Sequence, residues 1–82
     1  MEIKVLGSGC KNCKKLLDVT KDAVQNLKVE ANIIYVTDML AIARSGVMKT
    51  PALIINNVIV STGKVLSASE VEALINQYGP LK

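Results

Sequence analysis

The chain has 82 residues, half of them apolar and 21% charged, which suits one domain over residues 1–82 with a single core and argues against disorder. No apolar run approaches the roughly 18 to 20 residues of a membrane span, and residues 1–7 have no basic start and apolar stretch of a secretory leader, so a cytoplasmic protein with no membrane partner is expected. The net charge of +3 comes from scattered lysines and one arginine, Arg44, and two aromatics, Tyr35 and Tyr78, cannot form a base-stacking platform; nucleic acid is not an expected partner.

In chain order, residues 2–6 (EIKVL) alternate with Ile3 and Val5 on one side, the pattern of a strand. Gly7, Ser8 and Gly9 interrupt it. From residue 10 the period changes: Cys13, Leu16, Leu17, Thr20, Ala23, Val24 and Leu27 recur at helical spacing, which predicts an amphipathic helix ending near Lys28. Residues 32–36 (NIIYV) are β-branched and short, hence a second strand. Asp38 can cap a short helix over residues 39–45, which Gly46 stops. Residues 52–55 and 58–61 flank Asn56-Asn57, and asparagine tolerates the positive φ of a tight hairpin turn. Ser67 and Glu70 have capping-box spacing, Val71, Leu74, Ile75 and Tyr78 follow on one helical face, and Gly79-Pro80 ends that helix. The order β-α-β-α-β-β-α predicts an α/β fold with a four-stranded mixed sheet flanked by three helices, the first two strands being parallel.

The chemistry sits in residues 7–15, GSGCKNCKK, which hold both cysteines. A Cys-x-x-Cys pair in a reducing compartment points to catalysis or metal binding rather than to a structural disulfide. Cys10 falls between a glycine-rich turn and the first turn of a helix, where unpaired N–H groups and the helix dipole favour a thiolate. Such placement lowers a thiol pKa from about 8.5 to between about 3.5 and 7.5. Lys11, Lys14 and Lys15 add positive potential. Cys13, one turn on and on the apolar stripe, is the sheltered partner, so Cys10 is expected as nucleophile and Cys13 as the thiol that resolves a mixed disulfide. Gly7 and Gly9 either clear the approach to Cys10 or simply permit a sharp turn. With no histidine and no third cysteine, half of a zinc site is missing. A two-thiolate site for Cu(I) is the main alternative, and a redox-inert interaction protein is another. Thr50-Pro51 stands at the start of the third strand, where a proline is allowed and a cis bond is available.

The first third of the chain is similar to heavy-metal-associated domains, which also place Gly-x-x-Cys-x-x-Cys between a strand and a helix. Those domains run β-α-β-β-α-β, and here a second helix precedes the hairpin. The whole chain resembles the thioredoxin/glutaredoxin superfamily, with Cys-x-x-Cys after the first strand and Thr-Pro opening the third, and within it the small redox-active disulfide proteins carrying Gly-x-Gly-Cys-x-x-Cys. That resemblance implies a thiol-disulfide oxidoreductase acting on protein disulfides as a monomer, without a cofactor or metal. It assigns Cys10 as nucleophile, Cys13 as resolving thiol, Pro51 as a cis-proline beside them, Thr50 as a source of backbone contacts for a bound peptide, and Gly63 as lining for the substrate groove; Gly9, which leaves the approach to Cys10 clear, joins Thr50, Pro51 and Gly63 on the expected substrate side. Gly9 stands where thioredoxins have tryptophan, Lys11-Asn12 where they have Gly-Pro, and Lys4 where they bury an acid. Residues 61–70 lack the glutathione-binding pattern of glutaredoxins, so a flavoprotein of the thioredoxin-reductase type is the expected electron donor.

Overall fold

The computed structural model describes residues 1–7, 9 and 11–79. Ser8, Cys10 and residues 80–82 lie outside the described residues, and with them the expected nucleophile and the proline expected to end the last helix. The elements are β1 (Glu2–Leu6), α1 (Lys11–Leu27), β2 (Asn32–Val36), α2 (Met39–Arg44), β3 (Ala52–Ile55), β4 (Val58–Thr62) and α3 (Ala68–Tyr78). This is the order expected from the sequence, and it differs from that of the metal-binding domains in the helix between β2 and β3.

Local chemistry sets most of the boundaries. Lys28, at φ 55, closes α1 in the left-handed region. The Asp38 carboxylate accepts from the Leu40 N–H at 3.0 Å and starts α2. That helix is one residue shorter than expected, because the Ser45 hydroxyl turns back to donate to the Ile42 carbonyl at 2.6 Å and makes Ser45 the cap. Asn56 and Asn57, at φ 49 and 69, form the hairpin turn with both central residues left-handed. Ser67 and Glu70 form the full capping box at the start of α3.

The sheet order is β2-β1-β3-β4, with β1 parallel to β2 and antiparallel to β3, and β3 antiparallel to β4. Leu53 pairs with Ser61 but Ile54 with Ile59, so Val60 is an extra residue on β4 and bulges that edge strand. Alternation divides the strands between two cores. Ile3, Val5, Leu53 and Ile55 face α1 and α3, meeting Leu16, Ala23, Val71 and Ile75. Leu6, Ala52 and Ile54 face the other way, toward Ile42 and Val47 around α2. Each fully buried leucine, isoleucine or valine contributes about 1.5–3 kcal/mol, so the larger core dominates stability.

At the end where β1 begins, one side chain joins three segments. Asn56 Oδ1 accepts from the Glu2 N–H at 3.0 Å, and its Nδ2 donates to the Tyr78 and Gly79 carbonyls at 3.2 and 3.0 Å. The Asn56 N–H also donates to the Glu2 carbonyl at 2.8 Å. The opposite end, where β1, β2 and β4 finish and β3 starts, carries the residues of chemical interest.

Candidate active site

β1 does not stop at Leu6 by losing its partner. The Gly7 N–H donates to the Val36 carbonyl at 2.9 Å and carries the parallel pairing one residue further. Gly7 is buried, and a Cβ placed on it would run into Cys13 Sγ and stand 2.6 Å from Cys13 Cβ. Only a residue without a side chain fits there. The sequence reading gave Gly7 two roles, a sharp turn or an open approach to Cys10; the structure adds a third, a close fit to the second cysteine. Cys13 is the third residue of α1, fully buried, within the first turn whose N–H groups have no intrahelical acceptor.

The antiparallel register of β1 and β3 pairs Leu6 with Ala52, and continuing it by one residue sets Gly7 opposite Pro51. The Thr50-Pro51 peptide bond is cis. Pro51 is buried and Thr50 exposed. On the far side of β3, Ala52 pairs with Thr62, and the Gly63 N–H donates to the Pro51 carbonyl at 2.8 Å. Gly63 has φ 69, and a Cβ there would lie 3.2 and 3.3 Å from Cβ and Cδ of Lys49. Gly7, Pro51 and Gly63 therefore form a row across three strands, with Cys13 against the first of them. Gly9, at φ 89, has nothing within 4 Å of where a Cβ would be; its constraint is the backbone conformation alone.

Lys4, which takes the place of an acid in the resemblance, is on the face of β1 turned away from α1. It pairs in register with Ile54 of the α2-side core, and its ammonium lies 3.6 Å from the Glu2 carboxylate. Thr20 is the buried polar residue on α1, and its hydroxyl donates to the Leu16 carbonyl at 2.7 Å. Among the described residues, no three of His, Cys, Asp and Glu lie close enough to hold a metal ion together. Sequence reasoning missed Lys49, whose contact with Gly63 closes the row; nothing in a lone lysine before Thr-Pro signals that contact.

The sequence matches the family model described as the thioredoxin domain over residues 1–76. It is 36% identical over 76 residues to a protein named thioredoxin from Methanocaldococcus jannaschii, a match covering 93% of this chain and 87% of that one. A thioredoxin from Methanothermobacter thermautotrophicus is 28% identical over 76 residues, covering 93% of this chain and 99% of its own. Among the described residues, no helix is long and apolar enough to cross a membrane.

Proposed function

The chain belongs to the thioredoxin family, and from that premise we propose that it is a thiol-disulfide oxidoreductase whose Cys10 and Cys13 cycle between dithiol and disulfide. The observation that carries this reading is the fit of buried Cys13 against Gly7, at the end of the sheet that also holds the cis Thr50-Pro51 bond. A cysteine sulfur fully buried in the first turn of a helix, against a glycine whose place no side chain could take, suits a resolving role.

The Cys10 thiolate attacks one sulfur of a protein disulfide. A bond forms between Cys10 and that sulfur, and the other substrate sulfur leaves as a thiolate that takes up a proton. Cys13 then gives up its proton and attacks the Cys10 sulfur, the second substrate sulfur leaves, and the Cys10–Cys13 disulfide remains. Two electrons pass to the substrate. A thioredoxin-reductase-like flavoprotein returns them, while glutathione serves poorly, since residues 61–70 carry no glutathione-binding pattern. Thr50 and Gly63 border the groove that receives the substrate chain, and Gly9 keeps its near side clear.

Equilibration with a dithiothreitol couple tests the chemistry. A reversible two-electron transition is expected in the native chain and none in Cys10→Ser or Cys13→Ser. Cys13→Ser should accumulate mixed disulfides with substrate and Cys10→Ser should not. Equal trapping by both variants would overturn the roles, and no transition in the native chain would overturn the activity.

A further inference from the structure

The three segments that supply the site, residues 7–15, 48–51 and 62–64, contain five of the ten basic residues of the chain and no acidic one. Lys11, Lys14 and Lys15 are exposed on the first two turns of α1. Lys49 is exposed beside Gly63, and Lys64 is exposed immediately after it. Asp38 caps α2. Asp18 stands one turn after Lys14 and Lys15 on α1 and tempers their charge, and Glu70 is engaged in the capping box of α3. Glu2 and Glu30 belong to the opposite end, beside the starts of β1 and β2. Among the described residues the one ion pair is Lys4–Glu2, so none of the five lysines is in an ion pair there. A single exposed lysine is screened and contributes little. Five in the segments at one end of the sheet raise a potential that speeds the approach of an anionic partner.

Among the described residues, the most exposed large apolar side chains belong to the segments at the same end. Met48 is 95% exposed, directly before Lys49, and Leu40 and Met39 in the first turn of α2 are 67% and 64% exposed. Exposed apolar side chains suit a polypeptide partner, and methionine adapts to varied ones.

We infer that this end docks a protein segment that carries carboxylates around its reactive disulfide and an apolar residue beside it. The inference rests on the redox reading above and adds the class of substrate. Lys11, Lys14 and Lys15 meet the carboxylates on the α1 side, Lys49 and Lys64 those on the β3–β4 side, and Met48, Met39 and Leu40 take the apolar residue.

The test uses the fully reduced native chain and three disulfide-linked peptides that differ only in flanking Glu, Gln or Lys. Each rate is divided by the rate of the same peptide with dithiothreitol, which removes the peptide's own reactivity. 2-Hydroxyethyl disulfide is the neutral reference, and oxidised glutathione is a small anionic competitor. Normalised rates should fall in the order Glu, Gln, Lys, with roughly 100-fold between the extremes at low salt, shrinking about ten-fold or more near 0.5 M salt. The Glu-to-Lys ratio should drop about ten-fold in Lys49→Glu/Lys64→Glu. Equal normalised rates for the Glu and Lys peptides, or a ratio that neither salt nor the double variant changes, overturns the inference while leaving the redox reading intact. Oxidised glutathione reacting as fast as the Glu peptide overturns the assignment of a protein occupant. Failure to exchange even with 2-hydroxyethyl disulfide overturns the redox reading, and this inference with it.

Discussion

At the end of the sheet where β1 starts, Asn56 ties the first strand, the hairpin and the end of α3 together with its side chain and backbone. At the other end, the comparable positions are filled by Gly7, the cis Thr50-Pro51 pair and Gly63, and the contacts are fits of shape rather than side-chain hydrogen bonds. The left-handed positions are mixed: Asn56 and Asn57 hold them at the hairpin and Lys28 at the close of α1, Gly63 holds one beside Pro51, and Gly9 and Gly46 hold two more. A side chain at the first end holds segments together; at the second, a Cβ on Gly7 would overlap Cys13 and one on Gly63 would crowd Lys49. Cohesion is thus placed at the end remote from Cys13, and among the described residues the lysines at the Cys13 end form no ion pair.

The contrast breaks most clearly at Asn56. Asn56→Ala removes three side-chain hydrogen bonds, worth about 1 kcal/mol each, and puts alanine at positive φ for about another 1 kcal/mol. Chemical denaturation should show a loss of about 3–4 kcal/mol, with Asn56→Gly recovering only the backbone part. Native-like stability in Asn56→Ala would mean that the clamp does not hold that end. Gly7→Ala tests the other end. Its methyl group would overlap Cys13 through backbone-anchored atoms, and overpacking of this kind costs about 1–3 kcal/mol. Slower exchange of the Cys10–Cys13 pair should accompany that loss, measured as turnover at a temperature where the variant is fully folded. The smallest effect belongs to Gly9→Ala, where nothing lies within 4 Å of the new Cβ. Only the positive φ is penalised, about 1 kcal/mol, and a larger loss would place an unsuspected neighbour there.

Elements governed by near neighbours in sequence were legible before any coordinates. EIKVL and NIIYV announce strands by alternation and β-branching, and Asp38 and Ser67–Glu70 announce helix starts because a cap reaches only two or three residues. The Asn56-Asn57 turn was legible for the same reason. Its clamp was not, since Glu2, Tyr78 and Gly79 lie 54, 22 and 23 residues away. The extra residue in β4 was hidden too, because Val60 looks like any strand valine until the pairing of Leu53 and Ile54 is known. At the site, residue types pointed to Cys10, Cys13 and Gly9, and the resemblance added Thr50, Pro51 and Gly63. The row formed by Gly7, Pro51 and Gly63 needed the strand register, and the tight approach of Gly7 to Cys13 needed the packing of α1 on β1.

The clamp also fixes how this domain can be attached to anything else. Asn56 holds Gly79 and Glu2 to the same side chain, and Met1 Sδ would come within 2.7 Å of a Cβ on Gly79. Glu2 and Gly79 therefore sit together, at the end of the sheet remote from Cys13. Such an arrangement tolerates fusion, insertion as a unit into a host loop, or circular permutation across a short joint. In each of those settings the end of the sheet that holds Gly7, Pro51 and Gly63 would still face away from whatever carries the domain.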